Sequence, residues 1–249
     1  MPAWVGTSGW QYRDWRERFY PADVPQRSWL EYYVTRFPTV EVNNAFYRLP
    51  EKSTFADWRT RTPDGFVVTV KASRYLTHVK RLAEPEEPVG RLMERASALG
   101  DRLGPVLLQL PPTLRANPAA LDACLAAFPS STRVAVEPRH ESWWSTEIRE
   151  LLEKHGAALC WADRLGRPVA PRWRTTNWGY LRLHEGRATP RPRYGRQALE
   201  TWAERLCRTY TAREDVYVYL NNDPGGAAIV DAEAIARALA RRGVPLASV

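Results

Sequence analysis

The groups in this chain that could do chemistry recur in one kind of place, at the end of a short apolar run. In VAVEPRHESWW, Val134–Trp144, a carboxylate (Glu137), a guanidinium (Arg139) and an imidazole (His140) follow three apolar residues. Pro138 has no backbone N–H, so a strand ladder is expected to stop there and present these side chains at its end. The same arrangement appears with Glu41, with Lys71, with Gln109, with Arg182 and His184, and with Asn221, Asn222 and Asp223. A carboxylate beside an imidazole suits proton transfer. Guanidinium forks suit phosphate oxygens. Glu137, His140, His184, Glu41 and Lys71 are therefore the candidate catalytic groups. Tyr12, Asn43, Tyr47, His78, Arg81, Gln109, Arg139, Trp143, Arg182, Asn221, Asn222 and Asp223 are the candidate substrate contacts.

Each group also has a structural reading. Glu41, Glu137 and Lys71 would equally form an ion-paired layer inside a barrel mouth. Trp10, Trp15, Tyr47 and Trp143 would either stack on a planar ligand or plug the top of a core. His155 falls at a helix C-terminus, where the dipole favours a cation. His140, His184, Glu137, Asp163 and Asp223 are metal-compatible types, but no local metal-ligand spacing joins them, so no metal site is expected. No cofactor is assigned.

The elements that must position these groups are legible as eight apolar runs: Val5–Ser8, Thr39–Val42, Phe66–Ala72, Val106–Leu110, Val134–Glu137, Ala158–Trp161, Tyr180–Leu183 and Val216–Leu220. Most are apolar on both faces, as in parallel strands covered by helices. Helical patterns fill the gaps. A capping box at Ser28-x-x-Glu31 opens Trp29–Arg36, and Ser53–Arg61 follows Pro50. Val89–Leu103 is expected to close at Gly104. Asn117 followed by Pro118 starts Ala119–Phe128. Ser145–His155 ends at Gly156, Arg196–Arg213 is long and amphipathic, and Asp231 is expected to cap Ala232–Arg242. Eight strand–helix units in 249 residues match a TIM (β/α)8 barrel as a single domain over 1–249. No dinucleotide-binding or Walker loop follows the first run, which disfavours a doubly wound sheet. Between Asp163 and Tyr180 the breakers in RLGRPVAPRWRTTNWG leave the helix after strand six short or missing.

The formal charge is +8, and only four of the 36 basic residues are lysines. That balance fits a phosphorylated small molecule or nucleic acid as partner, and fits compositional drift equally well. The absence of a long apolar segment and of a leader pattern predicts a cytoplasmic protein with no membrane partner. Cys124, Cys160 and Cys207 are far apart and are expected to be buried thiols.

Seven stretches, in order, carry a resemblance: GTSGWQYRDWRERFYP, VEVNNAFYRLP, VKASRYLTHVKRL, LLQLPP, AVEPRHESWW, YLRLHE and VYLNNDPGGA. From Gly6 to about Ile235 the chain resembles the YecE-like family, domain of unknown function family number 72. The resemblance implies a TIM barrel and carries no reaction. The chain departs from the family pattern at Asn44 and Ala45, where Ser and Thr are usual, at Glu185 for glycine, and at Leu220 for phenylalanine.

The expected function is a hydrolase acting on a phosphorylated or nucleic-acid-derived substrate at the C-terminal mouth. Arginines 13, 48, 74, 81, 139 and 182 would hold phosphate, with one anion clamped between Arg139 and Arg182. Two alternatives stand beside it: a glycoside-type hydrolase using Glu41 and Glu137 as a carboxylate pair, and a non-catalytic anion- or nucleic-acid-binding barrel. The oligomeric state is not legible.

Overall fold

Ten strands form one curled, mostly parallel sheet in the computed structural model, which describes residues 2–248. They are β1 Ala3–Ser8, β2 Thr39–Val42, β3 Val67–Lys71, β4 Leu103–Gln109, β5 Val134–Glu137, β6 Ala158–Leu159, β7 Trp161–Arg164, β8 Arg167–Pro168, β9 Gly179–Glu185 and β10 Val216–Leu220. Their order across the sheet is β6-β5-β4-β3-β2-β1-β10-β9-β7-β8. The expected sixth strand is split at Cys160. Its first half, β6, pairs with β5, and its second half, β7, pairs with β9. The sheet thus curls until two strands near its opposite ends are separated by one residue, and the α/β domain is TIM-barrel-like.

The strand side chains divide by parity, because successive residues point to opposite faces. Val5, Val40, Val42, Val68, Val70, Val106, Leu108, Val134, Val136, Leu181, Leu183, Val218 and Leu220 belong to the large core between sheet and helices. Their alternates Leu107, Ala135, Ala158, Cys160, Tyr180, Tyr217 and Tyr219 form a second, smaller core that the curled sheet encloses. The chemical groups at the strand ends continue this second set. Tyr219 Oη lies 2.7 Å from both Thr39 Oγ1 and Thr69 Oγ1, so the hydroxyls in this interior are satisfied.

The helices are α1 Trp29–Val34, α2 Asn44–Tyr47, α3 Lys52–Thr60, α4 Glu86–Ala96, α5 Pro118–Ala126, α6 Thr146–Lys154, α7 Arg196–Thr209 and α8 Ala227–Ala240. Asn117 and Ser145 cap α5 and α6, accepting from the backbone N–H groups of Ala120 and Ile148. Three expectations are corrected. Ser28 makes no capping bond, because the 3-10 turn Gln26–Ser28 already leads into α1. The helix expected to end at Gly104 ends at Ala96 and passes through a 3-10 segment with a turn at Gly100, φ 56°; Gly104 is already in β4. Asp231 lies inside α8, which begins four residues before it. There its carboxylate accepts from the Tyr194 backbone N–H and from Asn222 Nδ2.

After β7 no full helix forms. Leu165 and Gly166 both have positive φ, as two-residue hairpin turns require, and β8 folds back on β7. Asp163 Oδ1 accepts the Gly166 N–H across this turn. Farther along, Thr175 Oγ1 accepts from the Leu159 N–H and donates to the Ala157 carbonyl, so an irregular strap satisfies the backbone of β6. Cys124 and Cys160 are buried; Cys207 is only half-buried. No helix among the described residues is long and apolar enough to cross a membrane.

Candidate active site

Strand register brings the polar residues of the mouth level with one another. Ser8 stands opposite Glu41 and Gln109 opposite Glu137. Arg182, on β9, reaches across the enclosed interior to both carboxylates. Its Nη2 donates to Glu41 Oε1 at 2.7 Å and its Nη1 to Glu137 Oε2 at 2.7 Å, with Gln109 Oε1 at 3.4 Å. All three charged side chains are buried. Glu41 also accepts from Ser8 Oγ and from Tyr180 Oη, each at 2.6 Å. Glu137 Oε1 further accepts from Arg139 Nε and Nη2, at 3.1 and 3.0 Å, and faces His184 Nε2 at 2.9 Å.

Burial alone would raise both carboxyls. For Glu41, Arg182, Ser8 and Tyr180 outweigh it and hold the group below the ordinary range. For Glu137, Arg182, His184 and Arg139 hold the group well below it. An ionised Glu137 can only accept, so Nε2 of neutral His184 carries the proton, and Nδ1 accepts from Asn221 Nδ2 at 3.1 Å. Burial lowers the His184 pKa despite the neighbouring carboxylate. Lys71 lies in the same layer. Burial, and then Arg182, pull its ammonium down to about 8. Asp223 shifts the other way, with burial pushing its carboxyl up to about 7 beside Tyr12.

His184, Asn221 and Arg139 line a cavity of about 270 Å³ whose outer wall is Arg164, Val169 and Glu185. A second hollow of about 160 Å³ lies between Trp10, Tyr12 and Asn43. Glu41, Lys71, Gln109, Glu137, Arg139, Arg182, His184 and Asn221 therefore form one cluster, with Tyr12, Asn43 and Asp223 beside it.

Other candidates stand apart from the cluster. His140 turns back to cap the 3-10 turn Glu141–Trp143, its Nδ1 accepting from the Ser142 N–H at 3.1 Å, and it makes no bond to Glu137. Asn222 is buried, donating to the Pro192 carbonyl and to Asp231, so it ties a loop to α8 instead of lining the cavity. Trp143 is fully buried, with its indole N–H on the Leu114 carbonyl, as the plug reading requires. His78 sits half-buried on a π-helical turn, bonded to Thr77 Oγ1 at 2.9 Å. Arg81 is exposed and reaches Thr113 Oγ1 at 3.4 Å. Tyr47 is 82% exposed. The anion clamp between Arg139 and Arg182 is not formed, because both terminal nitrogens of buried Arg182 are held by carboxylates. Among the described residues, no three His, Cys, Asp or Glu side chains converge to hold a metal ion.

Three contributors escaped the sequence reading: Ser8 and Tyr180, which hold Glu41, and Arg164 on the cavity wall. The alternation that puts Glu41 and Arg182 inside places Ser8 and Tyr180 inside too, so a period-2 count was the available signal.

A family profile described as "Protein of unknown function DUF72" matches residues 4–248. The chain belongs to this family. Among curated DUF72 relatives, UPF0759 protein YunF of Bacillus subtilis is 26% identical over 90% of this chain and 89% of its own length. UPF0759 protein YecE of Escherichia coli K12 is 32% identical over 47% of this chain and 43% of its own. A DUF72 family protein from Thermotoga maritima superposes with a TM-score of 0.82 at 28% identity, covering 96% of this chain and 100% of that one. SacUVDE is similar at a TM-score of 0.51 and 8% identity over 84% of this chain and 81% of its own, a likeness of fold alone.

Proposed function

We propose that the mouth is the active site of a hydrolase whose substrate is a phosphorylated, nucleic-acid-derived compound. The observation that carries the reading is the Glu137–His184 pair on the wall of a cavity flanked by Arg139 and Arg164. Glu137, held ionised, fixes the orientation and tautomer of a neutral imidazole. That imidazole is then ready to take a proton from an attacking water once substrate displaces Asn221 from Nδ1. The two partly exposed guanidinium groups supply positive charge where phosphate oxygens would gather. The nucleic-acid part rests on this rim and on the basic charge; the scaffold shared with SacUVDE carries no chemistry. The glycoside alternative is less well supported. A carboxylate acting as general acid needs a raised pKa, whereas Glu41 and Glu137 are both lowered and share one guanidinium.

The test is a turnover panel of p-nitrophenyl phosphate, bis-p-nitrophenyl phosphate and single-stranded oligonucleotides, each with and without divalent cations. His184→Ala is expected to lower kcat by about 10²–10⁴-fold, and Arg139→Ala to raise KM more than it lowers kcat. Salt-sensitive binding of these anions without turnover would favour the non-catalytic barrel. No turnover together with no anion-dependent rise in melting temperature would sink the phosphate reading.

A further inference from the structure

The four lysines are not equivalent. Lys52 pairs with Glu94 at 3.1 Å, Lys154 with Asp122 at 2.8 Å, and Lys80 with Glu84, all on the outside of the molecule. Lys71 is only 8% exposed. Among the described residues no carboxylate oxygen lies within 4.0 Å of its Nζ. Its close partner is the Phe46 ring, whose centroid is 4.2 Å from Nζ. The two carboxylates of its layer, Glu41 and Glu137, are both committed to Arg182. A buried ammonium with a ring face but no counter-ion of its own is poorly stabilised. With its pKa near 8, about a tenth of it is free amine at pH 7, against well under a thousandth for an ordinary lysine.

We propose that Lys71 is a nucleophile that forms an imine with the aldehyde or ketone carbon of a ligand seated in the mouth. An unpaired amine at the end of β3, in the layer of Glu41, Glu137 and Arg182, is placed to attack. The Nζ lone pair adds to the carbonyl carbon while the C=O π pair moves to oxygen. Nζ loses its two hydrogens through water, the oxygen gains both, and it departs as water. One amine and one carbonyl thus give one imine and one water, with no oxidant or reductant. The carbonyl requirement stands on Lys71 alone. That the ligand is an open-chain phosphosugar rests on the hydrolase reading above, through Arg139 and Arg164.

The experiment is reductive trapping of the full chain with sodium cyanoborohydride, followed by peptide mapping. The probes are ribose 5-phosphate, an abasic-site oligonucleotide and unphosphorylated glyceraldehyde. The expected result is one adduct at Lys71, formed at least tenfold faster than at Lys52, Lys80 or Lys154. Its rate should rise between pH 7 and 9, the range in which Lys71 titrates among Glu41 of β2, Glu137 and Arg139 of β5, Arg182 of β9 and His78 of its own turn. Lys71→Met and Lys71→Arg should lose the adduct while still melting in one cooperative transition. Equal labelling by glyceraldehyde and by the phosphorylated probes upholds the imine and counts against the phosphate. Label confined to the three exterior lysines, with Lys71 unmodified at pH 9, overturns the proposal even if phosphoester turnover is found.

Discussion

At the scale of single residues, Lys71 is a buried cation that the fold disfavours. Its pKa is lowered from 10.5 to about 8 because the folded chain disfavours the charged form. Between those values the unfolded chain binds more protons, so stability rises with pH across that window, and the full cost is present below about pH 8. A shift of this size corresponds to about 3 kcal/mol. Lys71→Met is therefore expected to stabilise the protein at pH 7 by about 1–3 kcal/mol, with the gain fading as pH approaches 10.5. Urea melts of both proteins across pH 7–10.5 check this. A mutant less stable than wild type at pH 7 would mean that the amine is favourably paired in solution.

At the scale of elements, the mouth depends on how closely β1 approaches β2. Gly6 shares its face with Trp4 and Ser8, and a Cβ there would meet the Thr39 carbonyl oxygen at 2.1 Å and its carbon at 2.9 Å. Both are backbone atoms and cannot swing aside. Thr39 in turn holds Tyr219, and the same strand pair carries the Ser8–Glu41 bond. Gly6→Ala should therefore cost at least about 2 kcal/mol and disturb Glu41. Gly90→Ala, in α4 with nothing within 4 Å, should instead stabilise by roughly 0.5–1 kcal/mol. Denaturant midpoints of the two variants should move in opposite directions.

At the scale of the whole molecule, Arg182 is a cross-brace. From β9 it reaches β2 and β5, strands far apart in the sheet order, through an interior otherwise filled by aromatic and small apolar side chains. Removing it leaves two buried carboxylates that Ser8, Tyr180, Arg139 and His184 satisfy only in part. Arg182→Ala is expected to cost roughly 3–5 kcal/mol with no ligand present. In a phosphate series the wild-type melting temperature reports the anion site at Arg139 and Arg164, which this substitution leaves in place. A mutant as stable as wild type that loses its phosphate response would instead make Arg182 the anion ligand.

The sequence by itself determined seven of the eight expected strands and the failure of the helix after strand six, while the sixth run is split at Cys160 and the short strand Arg167–Pro168 was not expected. The expected features follow from local rules: β-branched runs extend, and proline and glycine interrupt helices. The sequence also placed Glu41, Lys71, Glu137, Arg182 and His184 at strand ends, because each stands among the last residues of its apolar run or directly after it. What it left open was which strand-end groups meet. His140, three residues beyond Glu137, folds into a local cap, while His184, 47 residues from Glu137, is the carboxylate's partner. Asn221 and Asn222 are neighbours in sequence, yet one bonds His184 and the other anchors α8. Whether Arg182 would hold an anion or a carboxylate pair was undecided for the same reason. Such partnerships depend on curvature and register summed over the whole sheet, so only the tertiary structure decides them.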